Sequence, residues 1–237
     1  MPSLSLVIPT RRFDAALRAR ALVNAERAGA AEVIIVEPDD PRPGSPGAPM
    51  ELPAAWKLID ARRGRGSQCA AGVRASQGEL VMILHDDTDL PQDAQAQIDA
   101  AFADPRVGMT CFRLRFDHGH WLLRFYSLCS RLESPLTTFG DQAMVLRRSV
   151  YQAVGGFPDW PLFEDVELAR RVRRHSPVVK LPASVTTSAV RFTANGLLRQ
   201  QLFNGLLLGR FLLGTSPEHL AAVYERQRGV PKLEQAA

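Results

Sequence analysis

The residues best suited to chemistry lie in residues 79–91, where an apolar run ends in a cluster of charge. The run is Leu80 to Leu84, and the residues that follow it at once are His85, Asp86, Asp87 and Asp89. Clustered carboxylates repel one another and are costly to bury, so the pattern predicts a compensating cation or a polar ligand. The alternative is a solvated acidic turn that only begins the next helix.

A second acidic pair, Glu164 and Asp165, stands at the amino end of a predicted helix that runs to Arg174. Acidic residues are common there because they cap the helix and oppose its dipole. The functional alternative is a general base held at the mouth of a site. The residues alone leave both interpretations open.

A third candidate lies between Arg62 and Gln68, where three arginines and two glycines precede an alanine-rich helix. Backbone amides, the helix dipole and guanidinium groups could there bind an anion together. The phosphate-loop pattern G-x-x-x-x-G-K-[ST] is absent, and a solvated basic turn is the alternative.

Composition bounds the class of protein. The chain has 237 residues, 46% of them hydrophobic and 23% charged, which is ordinary for a folded globular protein with a sizeable core. Its formal charge of +4, mostly from arginine, favours anionic partners such as phosphates or an acidic lipid surface. No interleaving of basic and aromatic residues indicates nucleic-acid binding.

Three features of the sequence lead us to expect a cytoplasmic protein. The three cysteines are widely spaced, which predicts neither a disulfide framework nor a zinc site. The N-terminus lacks a signal-peptide pattern. No apolar run approaches the ~20 residues that span a bilayer.

Strands and helices alternate in the first part of the chain, which is typical of a parallel α/β sheet with right-handed crossovers. The predicted strands are 4–8, 32–36, 56–59 and 80–84, then 107–116, 143–146, 178–181 and 188–193. The predicted helices are 11–28, one ending near Gln77, 91–103, 121–132, 147–154, one through Arg174, and 195–213. We expect the sheet to become mixed after residue 107.

Two further segments have open roles. The Pro-rich stretch 38–49 is a surface loop that either contacts a nucleotide or only connects strands. The apolar helix 195–213 is expected to pack on the domain, with a membrane interface as the alternative. We therefore predict a catalytic domain over residues 1–194 and a packed helix and tail over 195–237, frayed from Tyr224 onward.

Six short motifs occur in a fixed order over roughly residues 4–224. They are Val7-Ile8-Pro9-Thr10, Gly64-Arg65-Gly66-x-Gln68, Leu84-His85-Asp86-Asp87-Thr88-Asp89-Leu90-Pro91, Gly140-Asp141-Gln142, Gly155-Gly156-Phe157-Pro158 and Pro161-Leu162-Phe163-Glu164-Asp165-Val166-Glu167-Leu168. Together they resemble glycosyltransferase family 2, the nucleotide-sugar transferases of the GT-A fold. The resemblance is close to its small soluble branch of the arsenosugar-biosynthesis type.

The resemblance implies a mixed, mostly parallel sheet flanked by helices, with a C-terminal helical segment. It also implies metal-dependent, inverting transfer from a UDP- or GDP-type nucleotide sugar to an acceptor hydroxyl. The metal ligand would be Asp87, assisted by His85, and the ion Mn²⁺ or Mg²⁺; the histidine slightly favours manganese. Asp165 would be the catalytic base, with Glu164 in reserve.

The same resemblance assigns the remaining site residues. Those expected to contact the nucleotide are Pro9, Glu37, Arg65, Gln68, Asp86 and Asp87, and those expected on the acceptor side are Asp141 and Gln142. Two positions depart from the family pattern. Glu37 stands where an Asp usually holds the base or ribose, and Arg11-Arg12 stands where Asn-Glu is usual.

Several alternatives follow from these departures and from the composition. A nucleotide-binding protein of the same fold without catalysis is one, and a metal phosphohydrolase using His85 and Asp86 is another, although no further histidines are suitably spaced for it. Beyond the nucleotide sugar and an unidentified acceptor, two partners stay open. These are a membrane surface met by residues 195–213 and a second copy of the chain in a homodimer.

Overall fold

A computed structural model of the chain describes residues 2–39, 51–190 and 196–228. Most of the Pro-rich stretch 38–49, residues 191–193 of the last predicted strand, and the tail after residue 228 lie outside the described residues. The functional predictions that fall on those segments therefore stay predictions.

A mixed sheet forms the centre of the fold. Within the described residues its strands are β1 (Leu4–Pro9), β2 (Glu32–Pro38), β3 (Trp56–Ala61), β4 (Leu80–Ile83), β5 (Thr88–Asp89), β6 (Met109–Phe116), β7 (Met144–Arg147) and β8 (Val178–Thr187). Their order across the sheet is β3-β2-β1-β4-β7-β6-β8-β5. The first four strands in that order are parallel, and β7 is antiparallel to both of its neighbours. The predicted change from a parallel to a mixed sheet is confirmed.

Helices cover both faces of the sheet. They are α1 (Ala15–Ala28), α2 (Arg65–Ala75), α3 (Ala94–Phe102), α4 (Trp121–Cys129), α5 (Arg148–Ala153), α6 (Glu164–His175), α7 (Leu197–Leu212) and α8 (Pro217–Arg228). Alternate residues of β1 belong to different core layers, because strand side chains alternate between faces. Leu6 packs in the layer that holds Leu17 of α1, whereas Val7 packs in the layer that holds Leu168 of α6.

Helix α1 begins later than its composition predicts. Its N-cap is Asp14, whose carboxylate accepts a hydrogen bond from the Leu17 N–H at 2.8 Å, so the helix does not include Arg11. Gly29 ends the helix in the left-handed conformation at φ 60°, which a glycine adopts without steric cost. This leaves Arg11 and its neighbours in a loop at the carboxyl end of β1.

The prediction of two late strands is wrong for the described residues. A single strand, β8, runs from Val178 to Thr187 and passes through Pro182. The proline lies where the pairing of β6 with β8 shifts register, and such an irregularity tolerates a residue without an N–H donor. Residues 188–190 follow the strand without belonging to it.

The C-terminal helices pack on the rest of the molecule through part of their surface. In α7, Gln200 and Leu207 are buried. The Phe203 ring stacks on Tyr224 of α8 with 6.3 Å between centroids, so residues 224–228 are helical where fraying was predicted. The proposed division at residue 194 stays a prediction. No helix in the described ranges combines the length and the apolar character needed to cross a membrane.

Candidate active site

Helix α1 fixes the turn that follows β4. The Arg20 guanidinium donates to the Asp86 carbonyl at 2.8 Å. The buried Asn24 amide donates to the Thr88 carbonyl and accepts from the Leu90 N–H, both at 2.9 Å. Because these bonds hold backbone groups, they position residues 85–90 regardless of the side chains there.

The acidic cluster separates in three directions at this turn. Asp86 accepts a hydrogen bond from the Thr10 hydroxyl at 2.8 Å. Asp87 lines a cavity to which Asp86 does not contribute. Asp89 forms an exposed ion pair with Arg20 at 3.2 Å. Only the first two carboxylates therefore belong to a concave site.

Two adjoining chambers lie along this edge of the sheet. The strand-end cleft, of about 360 Å³, follows the ends of β1 and β2 and is lined in part by Pro9, Arg11, Arg63, Gln68 and Asp86. The carboxylate cavity, of about 300 Å³, is lined in part by His85, Asp87, Phe116, Tyr126 and Asp141. Both chambers share a wall that includes Arg65, Phe163, Asp165 and Tyr224.

Arg65 stands between the two chambers. It is the first residue of α2, directly after Gly64, whose φ of 129° favours glycine. Its Nη2 lies 3.0 Å from His85 Nδ1, and its Nε lies 3.9 Å from Glu164 Oε1. A guanidinium can only donate, so a neutral His85 accepts at Nδ1 and carries its proton on Nε2.

Asp141 brings a third carboxylate to the cavity. It lies in a 3-10 turn, Gly140–Gln142, between α4 and β7. Its Oδ1 is out of contact with solvent and has no hydrogen-bond partner in the part of the chain that the structure describes. Burial, with the Asp165 charge adding to it and Arg65 opposing it, raises the pKa of Asp141 to about 6.

The acidic pair at the start of α6 divides into a half-buried and a buried carboxyl group. Asp165 Oδ2 accepts from the Gly140 N–H, which ties α6 to the turn that carries Asp141. Glu164 is buried, and burial together with the Asp165 charge raises its pKa to about 8, although Arg65 opposes the shift. Glu164 is therefore mostly protonated at neutral pH, and only Asp165 lines both chambers.

Strained backbone precedes this pair. Phe163 caps α6 in the left-handed region at φ 62°, which is unusual for a bulky residue. Its ring stacks on Phe211 of α7 with 4.8 Å between centroids, and Trp160 packs edge-on against Phe211. These contacts connect α7 to Phe163, the residue directly before Glu164 and Asp165.

Sequence reasoning missed three contributors to the site: Asn24, Phe163 and Tyr224. Asn24 sits in the middle of a helix and Phe163 in an apolar motif, where nothing signals a contact across the fold. Tyr224 was placed in a frayed tail, yet it lines both chambers.

Some predicted residues have structural contacts. Gln68 lines the strand-end cleft, and its amide donates to the carbonyls of Thr10 (2.7 Å) and Val36 (2.8 Å), which joins the ends of β1 and β2. Glu37 accepts from the Phe13 N–H at 2.6 Å and does not line either chamber as the structure describes them. Its predicted nucleotide contact stays a prediction.

Gln142 lies behind the wall of the cavity. Its Nε2 donates to the Thr137 carbonyl at 2.7 Å, and its Oε1 accepts from Lys180. These bonds hold the turn that carries Asp141, which does line the cavity. The acceptor-side role predicted for Gln142 stays a prediction.

The residues present fit an ion that is shared with a phosphate-bearing ligand. Over residues 2–39, 51–190 and 196–228, no group of three or more His, Cys, Asp or Glu side chains is placed to hold a metal ion. Yet Asp87 shares its cavity with the unpaired Oδ1 of Asp141, and Mg²⁺ commonly binds through one or two carboxylates plus substrate phosphates. His85 could ligate such an ion only after its Nδ1 stops accepting from Arg65.

Comparison with known proteins finds similar solved structures but no similar sequence family. No protein-family model matches the chain, and no curated protein sequence matches it.

Several solved glycosyltransferase structures match. The mannosyltransferase PcManGT from Pyrobaculum calidifontis, in complex with GDP-Man and Mn²⁺, has a TM-score of 0.64 at 17% identity over 91% of this chain and 66% of that one. S. aureus TarS 1-349 with UDP-GlcNAc has 0.57 at 13% identity over 78% and 58%. GalNAc-T7 with UDP, GalNAc and Mn²⁺ has 0.58 at 11% identity over 79% and 44%.

At identities this low the likeness shows the fold. The chain has a GT-A-like fold, a mixed α/β sheet flanked by helices, and the prediction of the fold class is confirmed. The chain spans 44% to 66% of the lengths of these three structures. Substrate and activity are argued below from the chain's own residues.

Proposed function

We propose that this chain is a metal-dependent, inverting glycosyltransferase of family 2 that moves a sugar from a nucleotide sugar to an acceptor hydroxyl. One observation carries the proposal. Asp87, Asp141 and Asp165 meet Arg65 in one cavity, and that cavity adjoins a cleft at the strand ends. In open α/β sheets the carboxyl ends of strands are where ligands bind.

The strand-end cleft suits the nucleotide diphosphate. Arg11, Arg63 and Arg65 line it, and Arg65 also begins α2, so guanidinium and free backbone amides both favour phosphate there. Similar structures were solved with GDP-Man, UDP-GlcNAc or UDP, which supports a UDP- or GDP-type donor. Pro9, Gln68 and Asp86 also line this cleft.

Asp87 would hold the Mn²⁺ or Mg²⁺ ion in this proposal. When bound, the ion supplies positive charge to the diphosphate as it leaves. Two of the similar structures contain Mn²⁺, which supports manganese. His85 would join as a ligand only in a state where Arg65 has turned to the diphosphate.

Asp165 is our choice for the base. It lines both chambers, so it can reach an acceptor in the carboxylate cavity beside a donor in the cleft. The acceptor oxygen would bond to the anomeric carbon as the bond to the diphosphate breaks, and the hydroxyl proton would pass to Asp165. Glu164 is a poorer choice because its raised pKa, about 8, keeps it protonated at neutral pH.

The acceptor would occupy the carboxylate cavity. Asp141 offers an unpaired oxygen that can accept a hydrogen bond from a hydroxyl. Phe116, Tyr126 and Phe139 supply an apolar wall to the same cavity. An acceptor with a hydroxyl group on an apolar or ring-shaped body would hydrogen-bond to Asp141 and pack against this apolar wall.

A thermal-shift screen of UDP- and GDP-sugars, with and without Mn²⁺, tests the proposal. A donor at 100 times its Kd should stabilise the fold by about 2.7 kcal/mol, and Mn²⁺ should be required. Hydrolysis of the donors that bind then separates a transferase from a nucleotide-binding protein without catalysis. If no nucleotide sugar stabilises the chain with any divalent ion, the proposal fails.

A further inference from the structure

A third cavity opens on a different surface, between β6 and α4. Its volume is about 670 Å³, and three of its lining residues are Arg115, Arg124 and Arg131. None of these three guanidinium groups has a hydrogen bond or an ion pair with another described residue. By contrast, the guanidinium group of Arg173, on α6, is paired with Glu133.

Acidic side chains do not offset this charge. Helix α4 contains no Asp or Glu. The only carboxylate among the residues that line the cavity is Asp117, and its Oδ1 accepts from the Ala189 N–H at 2.7 Å. Nearby Glu133 is held by Arg173. The groove is therefore a basic surface with unused donors.

An exposed apolar stripe borders the same groove. It follows one side of α4 and the turn after it, and its members with their exposed fractions are Trp121 (65%), Phe125 (58%), Leu128 (53%) and Leu132 (67%). The spacing of four, three and four residues puts them on one helical face. Leu128 also lines the groove between Arg124 and Arg131, so the apolar and basic features form one surface.

We propose that this surface, α4 with its basic groove, docks on a bilayer that contains anionic phospholipids. Guanidinium groups bind phosphate well, and an amphipathic helix with basic flanks and exposed Trp, Phe and Leu lies in the headgroup region. This surface is distinct from residues 195–213. The inference does not depend on the proposed function, because it concerns binding to lipid alone.

A second copy of the chain is a weaker occupant for the same surface. In a two-fold dimer both chains contribute this same surface, so the unpaired arginines of both chains would enter one interface. Like charges brought together without counter-ions are destabilising. An anionic bilayer satisfies both the arginines and the apolar stripe.

Vesicle flotation of the full chain tests the proposal. We expect binding to mixed phosphatidylcholine and phosphatidylserine vesicles, weaker binding at high salt, and little binding to phosphatidylcholine alone. The Arg115→Gln/Arg124→Gln/Arg131→Gln variant should bind about a hundred-fold more weakly, because each of the three arginines near an anionic surface contributes roughly five-fold. Trp121→Ser/Phe125→Ser should lose binding comparably.

The matched control is Arg74→Gln/Arg106→Gln/Arg174→Gln, which removes the same charge from exposed positions elsewhere and should bind like the parent chain. The melting temperature of each variant checks its fold. The proposal is overturned if the parent does not float with anionic vesicles or if the α4 variants bind unchanged. It is also overturned if only Leu202→Ser/Leu206→Ser in α7 abolishes binding, or if Trp121→Ser instead disrupts a dimer.

Discussion

The strand-end cleft and the carboxylate cavity share a wall but differ in what surrounds them. The cleft is built from strand ends and from arginines in two loops and at the start of α2. The cavity gathers Asp87, Asp141 and Asp165 against aromatic side chains, with α7 closing one side. One chamber therefore suits an anion and the other suits a cation or hydroxyl groups.

The difference shows how one site can separate the binding of an anion from the binding of a cation or hydroxyl groups. The adjacent residues Asp86 and Asp87 line different chambers. The adjacent carboxyl groups of α6 differ in burial, since Glu164 is buried and Asp165 is half-buried. Arg65 is the charged link, since it reaches His85 on one side and Glu164 on the other. Substitutions that affect only one chamber should therefore separate donor binding from transfer.

The largest effect should come from Asp165→Asn. Removing a general base typically slows the chemical step about 10²- to 10⁴-fold, while the amide oxygen can keep one of the two N–H bonds that Asp165 accepts, the one from Gly140. We expect transfer to fall by that factor and donor affinity to stay unchanged, measured by initial rates and by calorimetric titration. Full transfer activity in this variant would sink the assignment.

Asp87→Ala should come next and should act on metal-dependent binding. If Asp87 holds the ion, its loss should weaken the Mn²⁺-dependent part of nucleotide affinity at least about ten-fold, the effect seen even for outer partners of metal ligands. Titration of nucleotide with and without Mn²⁺ measures it. Asp89→Ala, on the exposed pair with Arg20, is the matched control and should bind normally. Unchanged affinity in Asp87→Ala would contradict a metal role.

Arg65→Gln should impair both chambers at once. A hydrogen bond to a charged group contributes about 1.5–3 kcal/mol, so the KM for the donor should rise about ten-fold or more. Arg65 also opposes the raised pKa of Asp141, so the acidic limb of the pH–rate profile should move to higher pH. Arg62→Gln, whose guanidinium pairs with exposed Asp159, serves as the control. A variant with an altered KM but an unmoved pH profile would show that Arg65 serves the cleft alone.

Glu164→Gln should have the smallest effect on transfer and a clear effect on stability. The pKa of Glu164 is raised from 4.5 to about 8, so the folded chain holds a proton that the unfolded chain releases between these values. Stability from this group is present below pH 4.5 and is lost as pH rises toward 8. The variant should match the parent near pH 5 and exceed it near pH 9 by a few kcal/mol at most, measured by denaturant unfolding. A transfer rate that falls as far as in Asp165→Asn would make Glu164 the base.

Much of the fold could be predicted from the chain alone. Apolar runs bounded by Gly, Pro and charge marked β1, β2 and β4, because strands buried on both faces need continuous apolar sequence. The predicted boundaries were less accurate. Helix α1 begins after its N-cap residue Asp14 rather than at Arg11, and Pro182 lies at a register shift within β8 rather than between two strands. Local patterns do not report a neighbouring strand that tolerates the irregularity.

The amino-acid sequence by itself determined which carboxylates were candidates, since strand tips and helix starts that carry Asp and Glu are visible as local patterns. Only the tertiary structure decided which of them meet. Asp87 and Asp165 share a cavity, Asp86 turns to the cleft, and Glu164 is buried beside Arg65. The reason is physical: burial and long-range charge set the protonation of a carboxyl group, and both depend on residues far away in the chain.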